Sequence, residues 1–190
     1  MAIPTVMLYP GAGSDREHSS LVAVEDRLGS SARVERLDFP YRREGRRAPD
    51  RAPKLMASIR DDLAAVRRRR GPLVMGGRSM GGRIASMVAA DVDGAGPVPR
   101  LVGLVLICYP LHPPGRPDRL RVEHLVYISV PCLFVSGTKD PFGTPDELAD
   151  WTATIPSPVE HVWVDGGRHD LRGADELIAD AVASFVGSLG

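Results

Sequence analysis

Strand-like runs and helical periodicity alternate along this chain from one end to the other, and that alternation constrains its fold most. Short apolar runs fall at Thr5–Tyr9, Arg33–Phe39, Leu73–Met75, Leu101–Cys108, Cys132–Val135 and Val159–Val164. Between them apolar residues recur at helical spacing: Leu21, Val24 and Leu28; Leu55, Ile59, Leu63 and Val66; Ile84, Met87 and Val88; Leu148 and Trp151; and finally Ile178, Val182, Phe185 and Leu189. Strict alternation of this kind implies a parallel sheet with helices on both faces. The Leu101–Cys108 run is apolar throughout, as a strand covered on both faces requires. In such sheets the chemistry gathers at the carboxyl ends of the strands, so the loops after each strand carry the candidate residues.

Local signals refine the pattern. Thr144-Pro145-Asp146-Glu147 is a strong helix start, with Thr as N-cap, Pro at the first position and Glu three residues after the cap. Ser14 and Glu17 have capping-box spacing, with Ser19 as a rival start for the first helix. A polar, Arg-rich loop is expected from Tyr41 to Pro53. Between the fourth and fifth strands the prolines at 110, 113, 114 and 117 forbid a helix in the first half, leaving Asp118–Leu125 as the stretch that can form one. That gap is too short for a sizeable cap.

One of the strand-end turns reads Gly77-Arg78-Ser79-Met80-Gly81, between the third strand and the helix that follows it. A serine at the tip of a sharp strand-to-helix turn adopts a strained backbone, and glycines two residues either side remove Cβ atoms that would collide there. The turn lifts the hydroxyl above the sheet and aims a helix N-terminus at it. The plainer alternative is a Gly-rich turn whose serine merely caps the helix. A nucleophilic serine needs a base, and the base an orienting acid. Asp140 follows the fifth strand in Gly137-Thr138-Lys139-Asp140-Pro141, and His169 follows the sixth in Gly166-Gly167-Arg168-His169-Asp170. Their place and order, Ser, Asp, His, match what an elbow serine requires. Asp165 and Asp170 compete for the acid position. The oxyanion donors expected are the N–H of Met80 and that of Ala12, in the Gly11-Ala12-Gly13 loop after the first strand. That loop lacks the third glycine of a dinucleotide fingerprint, where Arg16 stands.

His112, in Tyr109-Pro110-Leu111-His112-Pro113-Pro114, is expected to rim the site, and His18 is a weaker candidate beside the first loop. His124 and His161 read as structural. Arg78 is expected to tie loops together through a carboxylate such as Asp38.

The bulk numbers exclude several classes. The 190 residues suit a single domain spanning 1–190. Lys and Arg total 24 against 24 Asp and Glu, so nothing argues for nucleic acid. The N-terminus lacks a basic and apolar leader, and the longest apolar run is far too short to span a bilayer. Cys108 and Cys132 read as reduced core residues of a cytoplasmic protein. No metal-ligand spacing is present, and neither a metal nor a cofactor is expected. The partner expected is a small-molecule substrate, with no membrane association and an oligomeric state left open.

The first glycine loop, Gly77-Arg78-Ser79-Met80-Gly81-Gly82-Arg83, the Tyr109-Pro110-Leu111-His112-Pro113-Pro114-Gly115 loop, Leu133–Asp140 and Gly166-Gly167-Arg168-His169 together resemble the small α/β-hydrolase-like proteins grouped with dienelactone hydrolases and with the testis-expressed hydrolase-like proteins of animals. The likeness spans nearly the whole chain. It implies a compact α/β-hydrolase core of about six mostly parallel strands, without a sizeable cap, and places the triad on Ser79, Asp140 and His169. Family members usually have a histidine before the first-loop glycine, where this chain has Pro10. The expected activity is hydrolysis of a carboxylic ester or thioester, with short-chain substrates in an open cleft. The alternative is a hydrolase-like binding module without useful turnover.

Overall fold

The computed structural model describes residues 2–189. Six strands form one sheet: β1 (Thr5–Tyr9), β2 (Arg33–Arg36), β3 (Leu73–Arg78), β4 (Leu101–Ile107), β5 (Cys132–Gly137) and β6 (Val159–Val164). Their spatial order is β2-β1-β3-β4-β5-β6, and every neighbouring pair is parallel. The helices are α1 (Ser19–Leu28), α2 (Pro40–Arg43), α3 (Ala52–Val66), α4 (Met80–Ala89), α5 (Pro145–Thr152) and α6 (Asp175–Ser188).

Period-2 alternation sorts the strand residues onto two cores. Met7, Tyr9, Met75, Leu104, Leu106 and Phe134 face α3, α4 and α5, packing on Leu55, Ile59, Ile84, Val88 and Leu148. Val6, Leu8, Val74, Val105, Leu133 and Val135 face α1 and α6, packing on Leu21, Val24, Ile178, Val182 and Phe185. Each fully buried large side chain contributes about 1.5–3 kcal/mol relative to exposure. The sheet is thus covered on both faces, as the uniformly apolar β4 requires. Among the described residues no helix is long and apolar enough to cross a membrane.

Several local expectations hold and several do not. The α5 capping box forms: Thr144 Oγ1 accepts the Glu147 N–H at 3.3 Å, and the Glu147 carboxylate accepts the Thr144 N–H at 2.9 Å. The Ser14–Glu17 box does not form. The helix begins at the rival Ser19, because the His18 side chain caps it by accepting the Ser20 N–H, while the Ser14 hydroxyl turns back to the Gly11 carbonyl. The Arg-rich loop contains α2, a single helical turn started by Pro40 that carries Tyr41 into the core. No helix forms over Asp118–Leu125; a 3₁₀ turn at Leu125–Tyr127 is the only helical piece of this strap. The Arg121 N–H donates to the Leu111 carbonyl at 2.9 Å, a long-range bond that a local helix would break. Leu125 is nonetheless buried and Leu120 packs beside it, as their apolar character demands.

The chain steps from β1 out to β2, then crosses back to β3 on the other side of β1. Direction reverses between β1 and β3, the place where such sheets open a crevice at their carboxyl ends. The loops after those two strands hold Gly11–Ser14 and Ser79.

Candidate active site

Ser79 sits at the elbow between β3 and α4 with φ 49° and ψ −117°, a conformation L-residues avoid. Its N–H donates to the Ile107 carbonyl at 2.7 Å, which holds the strained turn against β4. Glycine is required around it by close approach. A Cβ at Gly77 would lie 2.0 Å from the Tyr9 carbonyl oxygen, and one at Gly81 2.2 Å from the same atom. Without side chains at these two positions, α4 and β3 close onto the end of β1, and the serine hydroxyl is thrust upward.

The loops after β5 and β6 meet above the sheet. A Cβ on Gly137 would fall 2.1 Å from the Gly167 carbonyl oxygen, so that glycine lets the two loops touch. Lys139 N–H donates to the Gly167 carbonyl at 2.8 Å, and the Thr138 hydroxyl links both loops by donating to Asp165 and accepting the Gly166 N–H. This junction brings His169 to Asp140, with Nδ1 2.8 Å from Oδ2 and 3.0 Å from Oδ1. Asp140 is nearly fully buried, and its Oδ1 also accepts the Phe142 N–H at 2.9 Å. A carboxylate only accepts, so Nδ1 carries the proton. Nε2 is then left to accept, and Ser79 Oγ lies 2.9 Å from it. The Phe142 ring stacks on the imidazole with centroids 3.9 Å apart, fixing its tilt.

The structure therefore brings Ser79, His169 and Asp140 into one hydrogen-bonded chain. Asp165 and Asp170 are exposed, and the hydroxyl of Thr138 occupies Asp165. Ala12, Gly11 and Met80 line the same cleft as Ser79 and His169, which has a volume of about 510 Å³. Gly11 lies against the nucleophile position, since a Cβ there would be 3.5 Å from Ser79 Cβ. The Tyr41 hydroxyl holds the loop by donating to the Ala12 carbonyl at 3.0 Å. Met80 is the first residue of α4, so its N–H has no intrahelical acceptor.

His112 does not rim this cleft. Its ring is 7% exposed, Nδ1 lies 2.9 Å from the Pro113 carbonyl, and Nε2 faces the Glu147 carboxylate at 3.5 Å. The turn of the Pro-Leu-His-Pro-Pro segment points it toward α5 instead. His18, the weaker candidate, does line the cleft. Burial and the Arg78 charge hold His18 below the usual imidazole range, which suits its role as an N-cap acceptor. Arg78 ties loops together as expected, but through a carbonyl. Its Nη2 donates to the His169 carbonyl at 2.6 Å and its Nη1 reaches Cys108 Sγ at 3.5 Å, while Asp38 accepts the Arg16 N–H. A buried guanidinium beneath the base loop meets backbone first.

His124 is buried and His161 half-buried. His124 lies 2.8 Å from Ser86 Oγ, and His161 stacks between Phe134 and Trp163. The fold also assembles what spacing along the chain concealed: Cys108, Asp140 and His169 have potential ligand atoms within 4.8 Å of one another. Burial pushes the Cys108 thiol up to about 12, and the imidazole and carboxylate already engage each other, so the set is a poor metal site at neutral pH. Arg83 and Arg121, which also line the cleft, had no signal in the order of residues.

Comparison with known proteins places the fold. The model of the alpha/beta hydrolase domain family matches residues 2–180, and the chain belongs to that family. Among solved structures the fold is shared with Est1E from Butyrivibrio proteoclasticus at 14% identity and a TM-score of 0.79, covering 99% of this chain and 88% of that one. It is shared with dienelactone hydrolase from Anabaena variabilis at 18% identity and 0.77, covering 98% and 87%. The RedJ thioesterase of the prodiginine pathway in Streptomyces coelicolor aligns at 19% identity and 0.71, covering 96% and 85%. At these identities the likeness is one of fold.

Proposed function

We propose that this protein is a serine hydrolase that cleaves small or short-chain carboxylic esters or thioesters through an acyl-Ser79 intermediate. The observation that carries the reading is the continuous chain Ser79 Oγ, His169 Nε2 at 2.9 Å, then His169 Nδ1 and Asp140 Oδ2 at 2.8 Å. Ser79 Oγ attacks the carbonyl carbon as its proton passes to His169 Nε2. The carbonyl oxygen becomes an oxyanion, stabilised by the N–H groups of Met80 and Ala12. Asp140 holds the imidazole in the Nδ1–H tautomer and balances the charge of the imidazolium. As the tetrahedral intermediate collapses, Nε2 returns the proton to the departing alkoxide or thiolate. Water then attacks the acyl-serine with His169 again as base, and the carboxylic acid leaves.

The esterase and thioesterase folds among the structural neighbours support the same class of reaction. The short strap between β4 and β5 supports small substrates, because it gives a long acyl chain little to lie against. Turnover of p-nitrophenyl acetate and butyrate by the purified protein, and by Ser79→Ala, tests the reading. We expect activity in the first and its loss in the second, with thermal unfolding unimpaired. No turnover of either ester by the unaltered protein favours a hydrolase-like binding module.

A further inference from the structure

The cleft is cationic in a chain whose charges balance. Its lining holds Arg78, Arg83 and Arg121 and no carboxylate. Arg78 is occupied by the His169 carbonyl and Cys108. The other two have no such partner. Arg83 Nε is buried without any hydrogen-bond acceptor among the described residues. Burial and the like charge of Arg83 hold Arg121 below the usual guanidinium range, with no carboxylate opposing them. Glu123 shares a neighbouring cleft with Arg83 but is exposed, and among the described residues neither guanidinium forms an ion pair within 4.0 Å. Elsewhere this chain pairs its half-buried arginines: Arg36 with Glu17 and Glu25, Arg60 with Asp91 and Asp93.

Both arginines are also held in place. Arg83 lies one turn along α4 from the nucleophile position, its N–H donating to the Ser79 carbonyl at 3.0 Å. The Ser86 hydroxyl donates to the Arg83 carbonyl at 2.7 Å, and the Tyr109 hydroxyl donates to the Arg121 carbonyl at 2.7 Å. His124 Nε2 joins these two contacts, 2.8 Å from Ser86 Oγ and 3.5 Å from the Tyr109 oxygen. One buried polar cluster thus anchors the backbone of two like charges that line one cleft. Placing two guanidinium groups together is unfavourable unless an anion lies between them, and a guanidinium fork suits the planar oxygens of a carboxylate or phosphate.

We propose that Arg83 and Arg121 form a binding fork for an anionic group on the substrate, so that the preferred esters or thioesters carry a carboxylate or phosphate remote from the scissile bond. This rests on the reading of Ser79 as the nucleophile. In this arrangement the anion separates two charges that otherwise repel.

Two esters of equal acyl length test it: p-nitrophenyl hydrogen adipate, which ends in a carboxylate, and p-nitrophenyl hexanoate, which does not. We expect the unaltered protein to favour the adipate by about a hundredfold in kcat/KM, two charge-assisted contacts at about tenfold each being sufficient for that factor. Arg121→Gln should lower the adipate-to-hexanoate ratio by about tenfold, chiefly through KM, and the Arg83→Gln, Arg121→Gln double variant by about a hundredfold. Arg121→Lys should restore part of the ratio. Adipate and inorganic phosphate as competing ligands distinguish the two anions, the tighter one identifying the source. Calorimetric titration of adipate and phosphate into Ser79→Ala reads the fork without turnover. Arg121-dependent binding there, with no ester cleaved by the unaltered protein, overturns the hydrolase reading and leaves the fork standing. A preference for hexanoate, a loss shared equally by both esters in the variants, or binding indifferent to Arg121 overturns the fork.

Discussion

The two walls of the cleft are built in different ways. One wall comes from strand-end loops: Ser79 after β3 and His169 after β6, with Asp140 after β5 buried behind the imidazole. Each residue there sits within a few positions of a glycine that lets backbone approach backbone, and each is placed by the sheet register beneath it. The other wall comes from the strap between β4 and β5 and from the first turn of α4. There Arg121 and Arg83 are placed by a cluster of Tyr109, Ser86 and His124 drawn from separate segments. The groups proposed to react thus ride on locally encoded turns, whereas the groups proposed to select the substrate hang on a long-range polar network. Chemistry and selectivity should therefore respond to different substitutions.

The largest effect belongs to the first wall. Asp140→Asn should lower kcat by on the order of 10⁴, whereas Asp165→Asn and Asp170→Asn should change it less than about threefold. Near-normal turnover of Asp140→Asn with a collapse in Asp165→Asn assigns the acid to the wrong loop. Next comes the packing of the elbow. Gly81→Ala forces a Cβ to within 2.2 Å of the Tyr9 carbonyl oxygen, while Gly13→Ala meets nothing within 4 Å. Gly81→Ala should cost about 3 kcal/mol and Gly13→Ala less than about 0.5 kcal/mol, read from denaturant midpoints. Equal costs at the two positions refute the close approach of α4 to β1.

The second wall carries a pH dependence. Burial, and the Arg83 charge after it, push His124 down to about 4. The unfolded chain binds a proton at this ring near pH 6.5 and the folded chain does not, so stability rises with pH across that window and is lost on acidification from about 6.5 to about 4. The loss approaches roughly 3 kcal/mol at most, and His124→Gln should flatten that part of the stability profile. An unchanged profile in His124→Gln removes the histidine from the network. A smaller difference concerns chain length. Palmitoyl esters should gain nothing over butyroyl esters in kcat/KM, since an open cleft withholds the roughly 0.8 kcal/mol that each buried CH₂ contributes. A palmitoyl preference requires a longer apolar wall than the strap supplies.

Much of the first wall is legible in the order of residues. The elbow glycines, the strand-end positions of Asp140 and His169, and the Thr144–Glu147 cap are all local patterns in which a few neighbours decide the backbone. The strap is not legible in this way. The Asp118–Leu125 stretch is free of proline and can form a helix, but Arg121 gives its N–H to Leu111, and tertiary bonding overrides propensity. His112 misleads because its loop position leaves open which way the ring turns, and the free Pro113 carbonyl and Glu147 settle that. Arg83 and Arg121 lie 38 positions apart. No periodicity relates them, and only the fold shows that both lack acids.

The central claim is that His169 activates Ser79, and a fluorophosphonate probe tests it most directly. Native protein treated with the probe, then subjected to intact-mass measurement and peptide mapping, should carry one adduct, on Ser79 and on no other serine, and His169→Ala should abolish it. An unlabelled native protein, or an adduct elsewhere with Ser79 untouched, contradicts the account.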